Sequence, residues 1–134
     1  MTAGIQTAYA SKVALWSGRV ISYLAALFLL WDGIMKLFRP EFVVEATVRL
    51  GYGETAIIPL GIVLIICTSL YLIPLTEVLG AILLTGYLGG AVASHLRAGD
   101  PTFSIFFPAI FGAPVWGGLY LRDTRLRLLF LNGS

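Results

Sequence analysis

The sequence has little charge. Lys, Arg, Asp and Glu make up 12% of its 134 residues, about half the share carried by a soluble globular domain. With 58% hydrophobic residues and a mean hydropathy of +0.90, an integral membrane protein is the better description. Cysteine occurs once, at Cys67, so neither an intrachain disulfide nor a Cys-x-x-Cys redox pair can form. Cys67 reads as a small apolar residue packed among helices. Histidine also occurs once, at His95. One histidine and one cysteine in different apolar runs form no recognisable ligand set, so no metal site is expected. A Ser-His-Asp arrangement, a phosphate-binding glycine loop after a strand and a haem-ligating histidine pair are missing too. The net charge of +2 rests on scattered cations and excludes nucleic acid as a partner.

Long apolar runs are what the chain does have, at 20–37, 57–73, 78–96 and 103–121. Each is close to the roughly 17 to 25 residues that cross a bilayer as a helix. The sequence therefore predicts an all-α fold: a single domain, 1–134, built as a bundle of four transmembrane helices. Lys12 and Arg19 before the first run suggest a signal peptide. Its apolar core exceeds the roughly 7 to 15 residues of a signal peptide, however, and it ends in WDGIMKLFRP without a small-residue cleavage site, so it reads as a retained span.

Four spans put both termini on one side, with Lys12, Arg19, Arg122, Arg125 and Arg127, against Lys36, Arg39, Arg49 and Arg97 on the other. If Lys36 and Arg97 point into the bundle, the basic residues divide five against two. Both termini would then face the cytoplasm.

Between spans two and three, PLTE at 74–77 is a tight connection in which Thr76 is placed to cap the next helix. Between spans one and two, PEFVVEATVRLG at 40–51 predicts a short amphipathic helix, opened by proline, followed by glycine, and carrying Glu45 and Arg49 as an i,i+4 ion pair. Val43, Val44, Thr47 and Leu50 would rest on the membrane surface. A lid over the mouth of the bundle is the sharper alternative. Trp16, Trp31 and Trp116 lie near span ends, as interfacial indoles do. Phe103, Phe106, Phe107, Phe111 and Tyr120 give span four an aromatic character suited to packing or to lining an apolar pocket.

Two stripes direct charges inward. Gly18, Ser22, Ala25, Leu29, Asp32 and Lys36 fall within an arc of about 80° on span one, and small residues mark a close-packing face. Asp32 and Lys36 share that face in the favourable order for an i,i+4 pair. An unpaired charge inside a bilayer costs about 2.5 to 3.5 kcal/mol even on the lenient insertion scale. On span three, Gly86, Gly90, Ala93 and Arg97 fall within about 60°. Gly86, Gly90 and Ser94 form a small-xxx-small series expected to pack inside the monomer. Spans one and three run parallel, so Asp32 is expected to bridge Lys36 and Arg97, with Asp100 nearby as a second acid and one cation partly free for a ligand. His95 lies about 180° from Gly86 on an ideal helix. It is an interfacial residue unless the helix unwinds before Gly99, in which case it can turn inward as a proton relay.

WDGIMKLF in span one, LYLIPLTEVLGAILLTGYLGGAVASHLRAGDP across spans two and three, and LRDTRLR after span four resemble the DoxX-like family of small bacterial membrane proteins. The resemblance covers most of the chain from Trp31 onward, and GYLGGAVASHLR is its most specific part. It implies a four-helix membrane bundle in a bacterial inner membrane, with the family's Gly-x-x-Lys-Leu motif at Gly33, Lys36 and Leu37. Members often carry a glutamate in span two where this chain has Leu64, and an arginine after the proline where this chain has Leu75. The family is similar to subunits linked to quinone or sulfur-compound oxidation.

The resulting expectation is a quinone-binding or redox-complex accessory subunit. Its polar cluster would comprise Asp32, Lys36, His95, Arg97 and Asp100, and an electron-transfer partner protein would work beside it, because the chain has no intrinsic redox cofactor. A non-enzymatic scaffold, in which the Asp32, Lys36 and Arg97 network fixes helix register, is the alternative. A small-solute transporter is a third, weakened by the short chain and the lack of an inverted repeat; a homo-oligomer could still form a pathway.

Overall fold

In the computed structural model the backbone is described for residues 2–132, and side chains for residues 12–129 and 131. Helix α1 spans Thr2–Phe38, α2 Glu41–Arg49, α3 Ile57–Leu72, α4 Glu77–Arg97, α5 Thr102–Arg122 and α6 Thr124–Asn132, with a short 3-10 turn at Glu54–Ala56 before α3. Four of these helices are long and apolar enough to cross a membrane: Lys12–Phe38, Glu54–Leu72 (with the 3-10 turn), Glu77–Arg97 and Thr102–Arg122. The all-α four-span bundle expected from the hydropathy is thus the fold.

Helix α1 begins well before the predicted start of span one. Its 37 residues make a rod of about 55 Å at 1.5 Å per residue, longer than the roughly 30 Å hydrocarbon layer. Leu24, Leu27, Ile62, Ile66, Ile82 and Ile110 project from the outside of the bundle. In water such a surface would drive aggregation; on spanning helices it is the face offered to lipid.

The four spans form a square. Helix α1 packs against α3 and α5, α4 packs against the same two, and α1 and α4 face each other across the diagonal. Ala25, Ala26 and Leu29 of α1, Leu64 and Tyr71 of α3, Leu84 and Leu88 of α4, and Val115 and Leu119 of α5 fill the centre. Cys67 is buried in this core.

Close approach between helices is made by glycines other than those the small-residue series singles out. A methyl on Gly18 would stand 2.7 Å from the Gly118 carbonyl oxygen, and one on Gly61 2.8 Å from that of Gly33. These pairs set α1 against α5 and α1 against α3. Around Gly86 and Gly90 nothing lies within 4 Å of an added Cβ, so their expected packing inside the monomer is corrected. The buried face of α4 instead carries Glu77, Gly80, Ala81, Leu84 and Leu88.

The end of the bundle near the termini has its own polar junction. Arg122 Nη1 donates to Glu77 at 2.8 Å, Nε to Ser22 Oγ at 3.0 Å and Nη2 to the Tyr71 carbonyl at 3.1 Å. Its guanidinium lies 4.8 Å from the centre of the Tyr71 ring, within cation–π range. The Tyr71 hydroxyl donates to the Val115 carbonyl at 2.7 Å and sits 2.8 Å from Ser22 Oγ. One arginine therefore ties α1, α3, α4 and α5 together.

Thr76 does not cap α4 with its side chain. Its hydroxyl donates back to the Leu70 carbonyl at 2.8 Å, satisfying the end of α3 rather than the start of α4 and closing the tight turn.

Candidate ligand-binding cavity

At the opposite end of the bundle the square does not close. A cavity of about 500 Å³ lies between the diagonal pair α1 and α4, against α3 and α5 and beneath α2. Phe28 and Leu29 of α1, Leu88 of α4, and Phe107 and Phe111 of α5 supply apolar wall. Phe28 stacks on Phe111 with ring centres 4.5 Å apart and planes 13° apart, and Phe107 meets Phe111 edge-on at 5.3 Å. Of the aromatic residues of span four, Phe107 and Phe111 border the cavity, Phe107 while still 40% exposed, and Phe103 and Phe106 do not border it.

Helix α2 covers this cavity rather than merely connecting two spans. Val43, Ala46, Thr47 and Leu50 line it; Val43, Thr47 and Leu50 belong to the face the sequence places on the membrane surface, whereas Val44 of that face does not line it. Thr47 is buried, and its hydroxyl donates to the Val43 carbonyl at 2.8 Å. The lid-like alternative is the one observed, because the open end of the square gives this apolar face something to cover. The segment is bounded by two residues in the left-handed region, Arg39 at φ 53° and Gly51 at φ 98°. The expected Glu45–Arg49 pair is not what Arg49 makes: it reaches Asp100 of the α4–α5 loop at 3.4 Å.

The polar groups come from several elements. On α1, Lys36 Nζ donates to Asp32 at 2.7 Å, and both residues line the cavity. This is the i,i+4 pair the sequence predicts. On α4, Ser94 and His95 line the wall, and Ser94 Oγ lies 2.6 Å from the Tyr52 hydroxyl. Tyr87 of α4 adds a further hydroxyl-bearing residue. Gly86 and Gly90 line the cavity as well, so the small series makes space here.

Arg97 does not join this cluster. It is exposed and makes no hydrogen bond or ion pair among the described residues, so the expected Asp32 bridge between Lys36 and Arg97 is corrected. The reason is register: with Leu84 and Leu88 buried, residues 91 and 95 continue inward, and residue 97 lies about 200° from 95. His95 therefore faces the cavity without any unwinding of the helix.

Two helix ends place the remaining groups. After α4 the Asp100 amide donates to the His95 carbonyl at 3.1 Å and the Gly99 amide to Leu96 at 3.1 Å, with Gly99 at φ 74°. After α2 the Tyr52 amide donates to Thr47 at 3.4 Å and the Gly51 amide to Val48 at 2.9 Å. Both are Schellman closures, in which a glycine in the left-handed region folds the next residue back over the last turn. The first brings the Asp100 carboxylate to 2.6 Å from His95 Nδ1; the second brings Tyr52 to Ser94. Neither Tyr52 nor Arg49 is singled out for this site by the sequence reading. The shared pattern Arg-x-Gly at 49–51 and 97–99 is the signal that could have found both turns.

The DoxX-like family profile matches residues 20–118. The chain belongs to the DoxX-like family. The match takes in α2, most of all four spans and every residue of the cavity. No curated protein sequence and no solved structure matches the chain. Within this DoxX-like chain, Leu64 is fully buried in the core.

The DoxX-like bundle is a small multi-pass membrane protein, polar at both ends of its interior. At the end near the termini the Arg122 guanidinium is held by neighbouring helices. At the other end Asp32, Lys36, Tyr52, Ser94 and His95 border the cavity of about 500 Å³.

Proposed function

We propose that the cavity holds the head group of a membrane-soluble quinone and that the protein is an accessory subunit of a redox complex. The observation that carries this reading is the composition of one space. About 500 Å³ lies within the range of small-molecule sites. Its aromatic and aliphatic walls meet Lys36, Tyr52, Ser94 and His95 on opposing sides. Quinone carbonyls require donors, the ring requires apolar faces, and an isoprenoid tail requires a route to lipid. Electron transfer would be supplied by a partner protein's redox centre.

The cluster proposed for binding is Asp32, Lys36, His95 and Tyr52, with Asp100 behind it. Arg97 falls outside it. With Arg97 outward and Arg122, like Lys36, held inside the bundle, the basic count becomes four at the terminal end, Lys12, Arg19, Arg125 and Arg127, against Arg39, Arg49 and Arg97 at the cavity end, a margin of one toward cytoplasmic termini.

Mass spectrometry of small molecules that copurify with the detergent-extracted protein tests the reading. Quinone retained by the wild type and lost from folded Lys36→Ala supports it; no quinone in either sample overturns it. A scaffold is the second reading, favoured by the Arg122 junction, which links all four spans without bordering the cavity. Under that reading Arg122 variants lose partner association while Lys36→Ala does not.

A further inference from the structure

We propose that His95 is the proton-exchanging group of the cavity, acting through Nε2 on a phenolic or quinol hydroxyl, with Asp100 as its positioning residue. The inference rests on the quinone reading and assigns a chemical role within that site. A carboxylate only accepts hydrogen bonds, so Asp100 at 2.6 Å from Nδ1 holds the ring proton there. In the neutral ring Nε2 is then left as an acceptor. His95 lines the cavity whereas Asp100 does not. The Asp100 side chain is 8% exposed, against 23% for the imidazole. The ring thus stands between the ligand space and a buried carboxylate.

The neighbouring groups leave this role to His95. Lys36 is engaged by Asp32 at 2.7 Å on α1. Arg49 of α2 approaches the same Asp100 oxygen at 3.4 Å. Tyr52 after α2 and Tyr87 of α4 also line the cavity, and α5 contributes Phe107, Pro108 and Phe111. Imidazole is the side chain that both takes and gives a proton near neutral pH. In the step, the ligand O–H bond breaks, its proton forms a bond with Nε2 and the ligand oxygen keeps the electron pair. The imidazolium formed is held at Nδ1 by Asp100, and the reverse step returns the proton.

The single histidine makes the test direct. The full chain, labelled with ¹⁵N-histidine and placed in lipid nanodiscs, gives one pair of ring nitrogen signals, recorded with and without decylubiquinol; equilibrium dialysis measures binding separately. The expected result is a protonated Nδ1, an unprotonated Nε2, and a shift of Nε2 when the quinol binds. Asp100→Asn is expected to mix the two tautomers and weaken binding by about tenfold, while outward-facing Arg97→Ala changes neither. If Asp100→Asn does not fold, the wild-type tautomer and the ligand-induced shift decide the matter alone. Quinol that binds by dialysis without moving Nε2, or a wild type with its proton on Nε2, overturns the role of His95 and leaves the quinone reading standing. Absence of binding in dialysis overturns the quinone reading and this inference with it.

Discussion

The Tyr52 hydroxyl lies 2.6 Å from Ser94 Oγ, joining the segment after α2 to the last turns of α4. With Arg49 and Asp100 at 3.4 Å, it fastens the cover to the end of α4 and to the loop that follows. Tyr52→Phe is expected to remove about 0.5–1.5 kcal/mol of local stability. Hydrogen exchange should speed up across residues 41–52 and stay unchanged in the middle of α3 and α5. Uniform change across the bundle would mean that the contact is not local.

Arg122 and Glu77 form a buried pair, with side chains 7% and 11% exposed. Arg122→Met leaves the Glu77 carboxylate and the Ser22 and Tyr71 oxygens without their donor, a loss expected at about 3–5 kcal/mol. Replacing both partners, Arg122→Met with Glu77→Leu, should recover much of it. Thermal unfolding in detergent of the two single variants and the double variant measures the coupling.

Glycine substitutions should separate the two kinds of glycine. Gly18→Ala would place its methyl 2.7 Å from the Gly118 carbonyl oxygen and 2.8 Å from the Arg122 nitrogen. Both are backbone atoms, so α1 and α5 must part, at a cost of about 1–3 kcal/mol. Gly89→Ala meets nothing within 4 Å and should stabilise its helix by about 0.5–1 kcal/mol. Melting temperatures that move in the same direction would contradict this division.

The α5–α6 junction should be acid-sensitive. The neighbouring Glu77 carboxyl group, the Leu126 amide and Arg125 hold the Asp123 carboxyl below its ordinary 3.8 despite the opposing effect of burial. A carboxyl lowered in the folded state contributes stability that is full above its unfolded value and is lost as pH falls through the folded one. Acidification below about 4 should therefore free α6, whose Leu126 amide donates to Asp123 at 3.2 Å. Asp123→Asn should remove that pH dependence in hydrogen exchange of residues 124–129.

What could be read from the sequence was what depends on near neighbours. The spans follow from hydropathy, and the Asp32–Lys36 pair from a four-residue step on one helix. The face of α4 is not legible in the sequence because small residues are a weak guide to packing when lipid accepts glycine and leucine alike. Choosing Gly86 and Gly90 as the contact face put Arg97 inside and His95 outside, the reverse of the arrangement found. In the sequence Arg122 reads only as a basic residue near a span end, since its partners Ser22, Tyr71 and Glu77 lie on three other helices. No local pattern joins them.

The square layout, with α1 and α4 across the diagonal, separates frame from contents. Gly18 and Gly61 sit at helix contacts and fix the spacing of the walls, while Phe28, Phe107 and Phe111 only furnish the room between them. Exchanging those rings for larger or smaller ones would resize the chamber without redrawing the frame. Size of the chamber and spacing of the helices are thus set by different residues.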